Sequence, residues 1–256
     1  MFGWFRPTCP VGSAEKSWIE DRMRWLSLDF RLDRMTKATV ILPTPAFFPD
    51  RYDADRAGAK RLFRRVCGYM GVDPDPIRLV FIKSKHLEGI EGHTHGAAGT
   101  YENEGWRTTI RLDESTLHDP MVVVATLAHE LGHVLLLGEG RITADRKDHE
   151  PLTDLITVFL GLGLFTANSR VRTRTEQLAH GSSWSISRLG YLDEHAVGYA
   201  LALFAWIRGE DRPTWLRHLR LNPRTYCKQG LRYLLKTGDS SFDPARPSCQ
   251  PASDDI

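Results

Sequence analysis

The chain has 256 residues, enough for one large domain or two small ones, and its 41% hydrophobic content can fill a core. Its 34 basic and 32 acidic residues nearly cancel, so no net field recruits nucleic acid or an anionic membrane, even at a pI of 8.4. The basic clusters Lys60–Arg65 and Arg170–Arg174 read as solvated helix faces.

The first ten residues hold an early arginine and two prolines with no continuous apolar stretch, a poor secretory signal, so a cytoplasmic location is the expectation. Cys9, Cys67, Cys227 and Cys249 are far apart and form no C-x-x-C pair, which fits reduced thiols better than a disulfide framework. A helix is expected over Ala14–Phe30, with Ser13 as cap and Trp18, Ile19, Met23 and Leu26 at helical spacing. Thr39–Leu42 reads as a short strand stopped by Pro43 and Pro45, and Asp53–Met70 as a helix ending at Gly71. Ile77–Ile82 is an expected strand. The glycine-rich turn Gly89–Gly96 then leads to short strands at Ala97–Tyr101 and Arg107–Leu112.

Pro120 opens a nearly all-apolar helix over Met121–Leu137 that Gly138 is expected to cap. Helical spacing returns at Glu150–Phe165, Asp193–Ile207, Pro213–Leu219 and Arg224–Leu235. The apolar run Leu155–Ala167 is too short to cross a bilayer and carries two glycines, as a buried helix would. The expected fold is α+β: a small mixed sheet with an edge strand packed on a buried central helix, then a mostly helical C-terminal half. One domain is expected over residues 1–237, an α/β part at about 14–118 and a helical part at about 119–237, with a flexible tail over 238–256.

The central helix carries His129-Glu130-Leu131-Gly132-His133. Residues four apart share a helix face, so both imidazoles can reach one ion at the 2.0–2.1 Å that zinc requires. Glu130 follows the first histidine, where a carboxylate can act as general base. Two imidazoles and a carboxylate among Val, Ala and Leu would cost several kcal/mol if left unpaired, and a metal would satisfy them together. Gly132 implies a close neighbour, because glycine costs a helix interior about 1 kcal/mol relative to alanine.

For a third ligand the chain offers Asp148-His149-Glu150-Pro-Leu-Thr-Asp154. Proline marks a helix start and places Glu150 and Asp154 on one face. Glu150 could reach the metal while Asp154 holds a histidine ring, and Asp145, Asp148 and His149 compete for the ligand role.

The pair His-Glu-Leu-Gly-His and Glu-Pro-Leu-Thr-Asp resembles the gluzincin metallopeptidases, including thermolysin-like enzymes and the compact minigluzincins, over about Ile77–Phe165. The resemblance implies one zinc ion held by His129, His133 and Glu150, with Asp154 behind a ligand and Glu130 as catalytic base. It also implies a peptide or protein substrate lying along an edge strand, either Ala97–Tyr101, with Ala97, Gly99 and Tyr101 as contacts, or Thr108–Leu112. Tyr191, His195 and Tyr199, four apart, are candidate donors to an oxyanion. His93 and His95 flank Thr94 and offer a second metal site against an ordinary loop, and Cys9 offers an inhibitory thiolate.

The leading expectation is therefore zinc-dependent peptide hydrolysis. A non-catalytic zinc-binding interaction or regulatory module with a gluzincin-like fold, and a hydrolase of non-peptide amides or esters, are the alternatives. Neither nucleic acid nor membrane is an expected partner, and the sequence sets no oligomeric state.

Overall fold

The computed structural model describes residues 7–83, 99–103, 108–169, 171–178, 181–188 and 191–243. His93, His95, Ala97 and the turn at 89–96 lie outside these residues, as do Arg170, Cys249 and the tail beyond 243. The fold is α+β, a small mixed sheet followed by a mainly helical C-terminal half.

Helix α1 spans Ser13–Asp29, and its cap is Gly12 rather than Ser13, with no side-chain cap bond. The short α2, Leu32–Thr36, follows. Helix α3, Arg56–Met70, begins where the Asp55 carboxylate accepts from the Gly58 amide and ends at Gly71, whose φ of 68° suits glycine.

Strands β1 (Ile77–Ile82), β2 (Gly99–Asn103) and β3 (Thr108–Asp113) form a sheet ordered β1-β3-β2. β1 and β3 are parallel from Ile77 opposite Thr108 to Ile82 opposite Asp113. β2 is antiparallel to β3 from Gly99 opposite Leu112 to Asn103 opposite Thr108. β2 is thus an edge.

Helix α4, Pro120–His133, starts at Asp119, whose carboxylate accepts from the Met121 and Val122 amides. It runs into a π turn over Val134–Gly138, so Gly138 does not cap it; the positive φ comes at Gly140. Pro120–Gly138 is long and apolar enough to cross a membrane by length and composition, with a mean hydropathy of 1.7, yet 72% of that window is buried inside the fold. It is the central core helix, touching α3, the sheet, α5 (His149–Phe159) and α6 (Gly163–Ser169).

The single helix expected over Glu150–Phe165 is two, because Gly161 turns the chain with φ of 86°. The same glycine explains why Thr39–Leu42 is no strand. Its carbonyl accepts from the Ile41 amide at 2.9 Å, and a Cβ there would collide with the Thr39 carbonyl. The extended segment is thus held by one backbone contact and not by a ladder.

An unexpected antiparallel hairpin, β4 (Val171–Leu178) and β5 (Gly181–Arg188), interrupts the helical half where Arg170–Arg174 had suggested a helix face. Helix α7 (Glu194–Ile207) begins at Asp193, which caps the Ala196 amide at 2.8 Å. A 3-10 turn, Thr214–His218, replaces the helix expected at Pro213–Leu219, and α8 spans Leu221–Thr237. Arg208, just past α7, donates to the Met35, Thr36 and Ala38 carbonyls and so locks α7 to the end of α2. Cys9, Cys67 and Cys227 are free thiols.

Candidate metal centre

His129 and His133 leave the same face of α4 one turn apart, and their rings stand 4.8 Å apart, edge to face. Gly132 lies between them and permits the close approach of α5. A Cβ on it would sit 2.9 Å from Thr153 Cγ2, 3.1 Å from Ile156 Cγ2 and 3.2 Å from the Thr153 carbonyl oxygen. That approach carries Glu150, in the first turn of α5, to both imidazoles: its Oε2 is 3.1 Å from His129 Nε2 and 3.4 Å from His133 Nε2. Ligand atoms at 2.0–2.1 Å from a tetrahedral zinc stand about 3.3 Å from one another, so these separations fit one ion. Among the described residues, His129, His133 and Glu150 are the one group of three or more such side chains that could hold a metal ion.

The hydrogen bonds behind the rings fix which nitrogens face the centre. The Asp154 Oδ1 accepts from His129 Nδ1 at 3.0 Å, and its Oδ2 accepts from the Tyr191 and Leu192 amides at 2.6 and 3.0 Å. Asp154 is only 1% exposed and is satisfied by N–H donors from two elements. Thr153 Oγ1 donates to the His149 carbonyl at 2.8 Å, so it meets His133 Nδ1, 3.3 Å away, as an acceptor. Both Nδ1 atoms carry protons in this arrangement. The two Nε2 atoms and a carboxylate oxygen then converge on one point, where positive charge, a proton or a metal ion, holds them together.

Among the protein groups alone, burial works against a charged His129, but hydrogen bonds to Asp154 and Glu150 outweigh it and push its pKa up to about 10. Burial keeps His133 below its ordinary value, although Glu150 opposes this. Burial would raise Glu150, yet hydrogen bonds from both histidines hold it well below the carboxylate range.

Glu130 is 5% exposed and makes no hydrogen bond or ion pair among the described residues. Burial pushes it up to about 7, with His129 opposing and Glu150 adding to the rise. The edge strand lies directly on this carboxylate. A Cβ on Gly99 would stand 2.5 Å from Thr126 Cγ2, 3.0 Å from the Arg111 carbonyl oxygen and 3.2 Å from Glu130 Oε1. Two residues on, the Tyr101 ring stacks over His133 with centroids 5.7 Å apart.

The competing ligand candidates resolve differently. Asp148 accepts from Trp18, Arg22 and Arg146 at 2.8, 2.7 and 2.5 Å, and Asp145 is exposed. His149 stands beside the cluster, its ring 6.1 Å from His133, and its buried Nδ1 lies 3.8 Å from Glu150 Oε1 and makes no hydrogen bond among the described residues.

Of the three proposed oxyanion donors, the structure brings one to the cluster. Tyr191 is 44% exposed and stacks on His129 at 5.8 Å, but it precedes α7 and shares no helix face with the others. His195 is exposed and packs on Tyr226 with centroids 3.9 Å apart. Tyr199 is fully buried and donates to Glu20 at 2.6 Å, so it has no proton to offer a substrate. Cys9 lines a separate cavity with Lys16, Glu20 and Tyr233. Thr153 was missed, although its place directly before Asp154 on the ligand helix marked it as a neighbour of the same histidine face.

Comparison with known proteins gives no match to a protein-family model, a curated protein or a solved structure.

Proposed function

We propose that this protein is a zinc metallopeptidase of gluzincin type. The observation that carries the reading is Glu130, a buried carboxylate with no hydrogen-bonded partner among the described residues, one position from a ligand-competent histidine. A closed structural metal site has no use for such a group, whereas hydrolysis requires one.

His129, His133 and Glu150 would hold the ion, a His2Glu set of the kind catalytic zinc takes with its fourth position open. When bound, zinc supplies a Lewis acid that polarises a carbonyl and makes water acidic near neutral pH. Glu130 takes a proton from the attacking water at a carboxylate oxygen and returns it to the leaving amine nitrogen. Asp154 and Thr153 hold the two imidazole rings in the orientation that keeps Nε2 forward. β2 offers its free edge to an extended peptide, giving backbone affinity with little sequence choice.

The test is elemental analysis of wild type, His133→Ala and Glu130→Gln, each then assayed on a mixed peptide library. Near-stoichiometric zinc in wild type and Glu130→Gln, none in His133→Ala and cleavage by wild type alone would support the proposal. Zinc without cleavage would favour a non-catalytic module, and a folded wild type that takes up no metal would remove the reading altogether.

A further inference from the structure

A groove runs between α8 and the 3-10 turn at Thr214–His218 and encloses about 570 Å³. Leu235, 44% exposed, and half-buried Leu216 supply apolar surface within it, and Leu231 at its floor is 4% exposed and belongs to the core. Along α8, Arg224, Lys228, Arg232 and Lys236 recur every fourth residue, a single line of cations on one helix face. Arg212 and Arg217 add two more, against the single carboxylate of Asp211.

None of these six cations forms an ion pair among the described residues. Other surface arginines are neutralised, Arg22 by Asp148, Arg65 by Asp50 and Arg141 by Asp29, whereas exposed Arg64 and Arg78 stand singly without an ion pair among the described residues. Like charges at i,i+4 destabilise a helix, so an unbroken line of four is a cost that α8 carries without internal compensation.

We propose that this groove docks an acidic amphipathic segment of a partner protein. Charge complementarity sets the sign of the occupant, and the apolar surface sets its form. A helical segment presents carboxylates to the cations and leucine-sized side chains to Leu216 and Leu235 at once. A bilayer surface is flat on this scale and does not follow into a groove, and a nucleic-acid backbone would satisfy the cations while setting the leucines against polar groups.

The test uses the full chain and fluorescence anisotropy with a labelled helical peptide of Glu-Glu-Leu repeats, its integrity followed by mass spectrometry. Controls are the same peptide with Ser for Leu, phosphatidylserine vesicles and a duplex oligonucleotide. Binding by wild type, weakened about tenfold or more by Ser for Leu and by the triple variant R224E/K228E/R232E, is the expected result. Circular dichroism checks that the variant folds. A matching peptide of Lys-Lys-Leu repeats should bind the triple variant and not wild type, a gain that an unfolded protein would not show. The proposal is overturned if wild type ignores the Glu-Glu-Leu peptide or binds the serine form equally well. It is also overturned if vesicles or duplex bind more tightly than the peptide.

Discussion

His129 Nδ1 stands 3.0 Å from Asp154 Oδ1, and the other oxygen of the same carboxylate holds the backbone of Tyr191 and Leu192. One buried group thus joins α4, α5 and the approach to α7. Asp154→Asn keeps the shape but removes the charge and one acceptor, leaving an amide against an N–H. Zinc affinity should fall about 10–100-fold, as is usual when the partner of a ligand histidine is changed. Competition with a chromophoric chelator measures it, and an unchanged affinity would show that Asp154 does not orient His129 for metal.

Gly132→Ala sets two effects against each other. Alanine favours a helix interior by about 1 kcal/mol, whereas overpacking a filled interface costs about 1–3 kcal/mol. With Thr153 Cγ2 and the Thr153 carbonyl as close as they are, overpacking should win, because a backbone oxygen cannot swing aside. Urea unfolding should show a net loss, and zinc affinity should fall with it as α5 is pushed away from α4. A stabilised variant would mean that α5 adjusts freely.

Metal binding to the folded state alone adds RT ln(1 + [L]/Kd), about 2.7 kcal/mol when free zinc is a hundredfold above Kd. Thermal melts of wild type should therefore shift upward with zinc and back with chelator. His133→Ala should melt at the same temperature in both. A wild-type melting point indifferent to zinc and chelator would contradict a metal at this cluster.

Asp148 gives a pH dependence of stability whose sign follows from its partners. Burial raises its carboxyl pKa, but hydrogen bonds from Arg146 and Trp18 and the charge of Arg22 outweigh this and hold it at about 2. A carboxylate whose folded pKa lies below its unfolded value of about 3.9 contributes stability that is fully present above about pH 4 and is lost as pH falls towards 2. The stability gap between wild type and Asp148→Asn should therefore be widest near neutrality and close on acidification below pH 4. A gap that stays constant through that window would show that the carboxylate charge contributes nothing.

Tyr199→Phe removes the donor to Glu20 and leaves a buried carboxylate one partner short. The expected cost is about 1–3 kcal/mol in unfolding free energy, with zinc content and any hydrolytic rate per folded molecule unchanged. A large loss of rate without loss of stability would return Tyr199 to the list of substrate donors.

Periodicity made the donor set readable. His129 with His133 and Glu150 with Asp154 are four apart, and an α-helix places such pairs on one face whatever surrounds them. Gly132 announced the tight packing that lets the two helices meet. What escaped was structure that depends on partners distant in the chain. Leu155–Ala167 is mostly apolar, and its two glycines read as part of a buried helix, so the turn at Gly161, where the Thr39–Ile41 backbone passes close by, did not stand out. The β4–β5 hairpin left a signal, the alternation in Val171-Arg-Thr-Arg-Thr, that was outweighed by its density of arginine. His195 and Tyr199 share a face of α7, but Tyr191 does not join them, because the Asp193 cap starts the helix after it.

The placement of α4 has a consequence for biosynthesis. On a ribosome, α3 and the sheet emerge before it, whereas α5 and α6, which pack against it, emerge after it. For the seconds this takes, a long apolar helix stands half wrapped and able to capture a chaperone or another nascent chain. Pausing during synthesis of residues 139–169 would lengthen that interval, so slow codons in this stretch should lower soluble yield more than the same codons placed after α8.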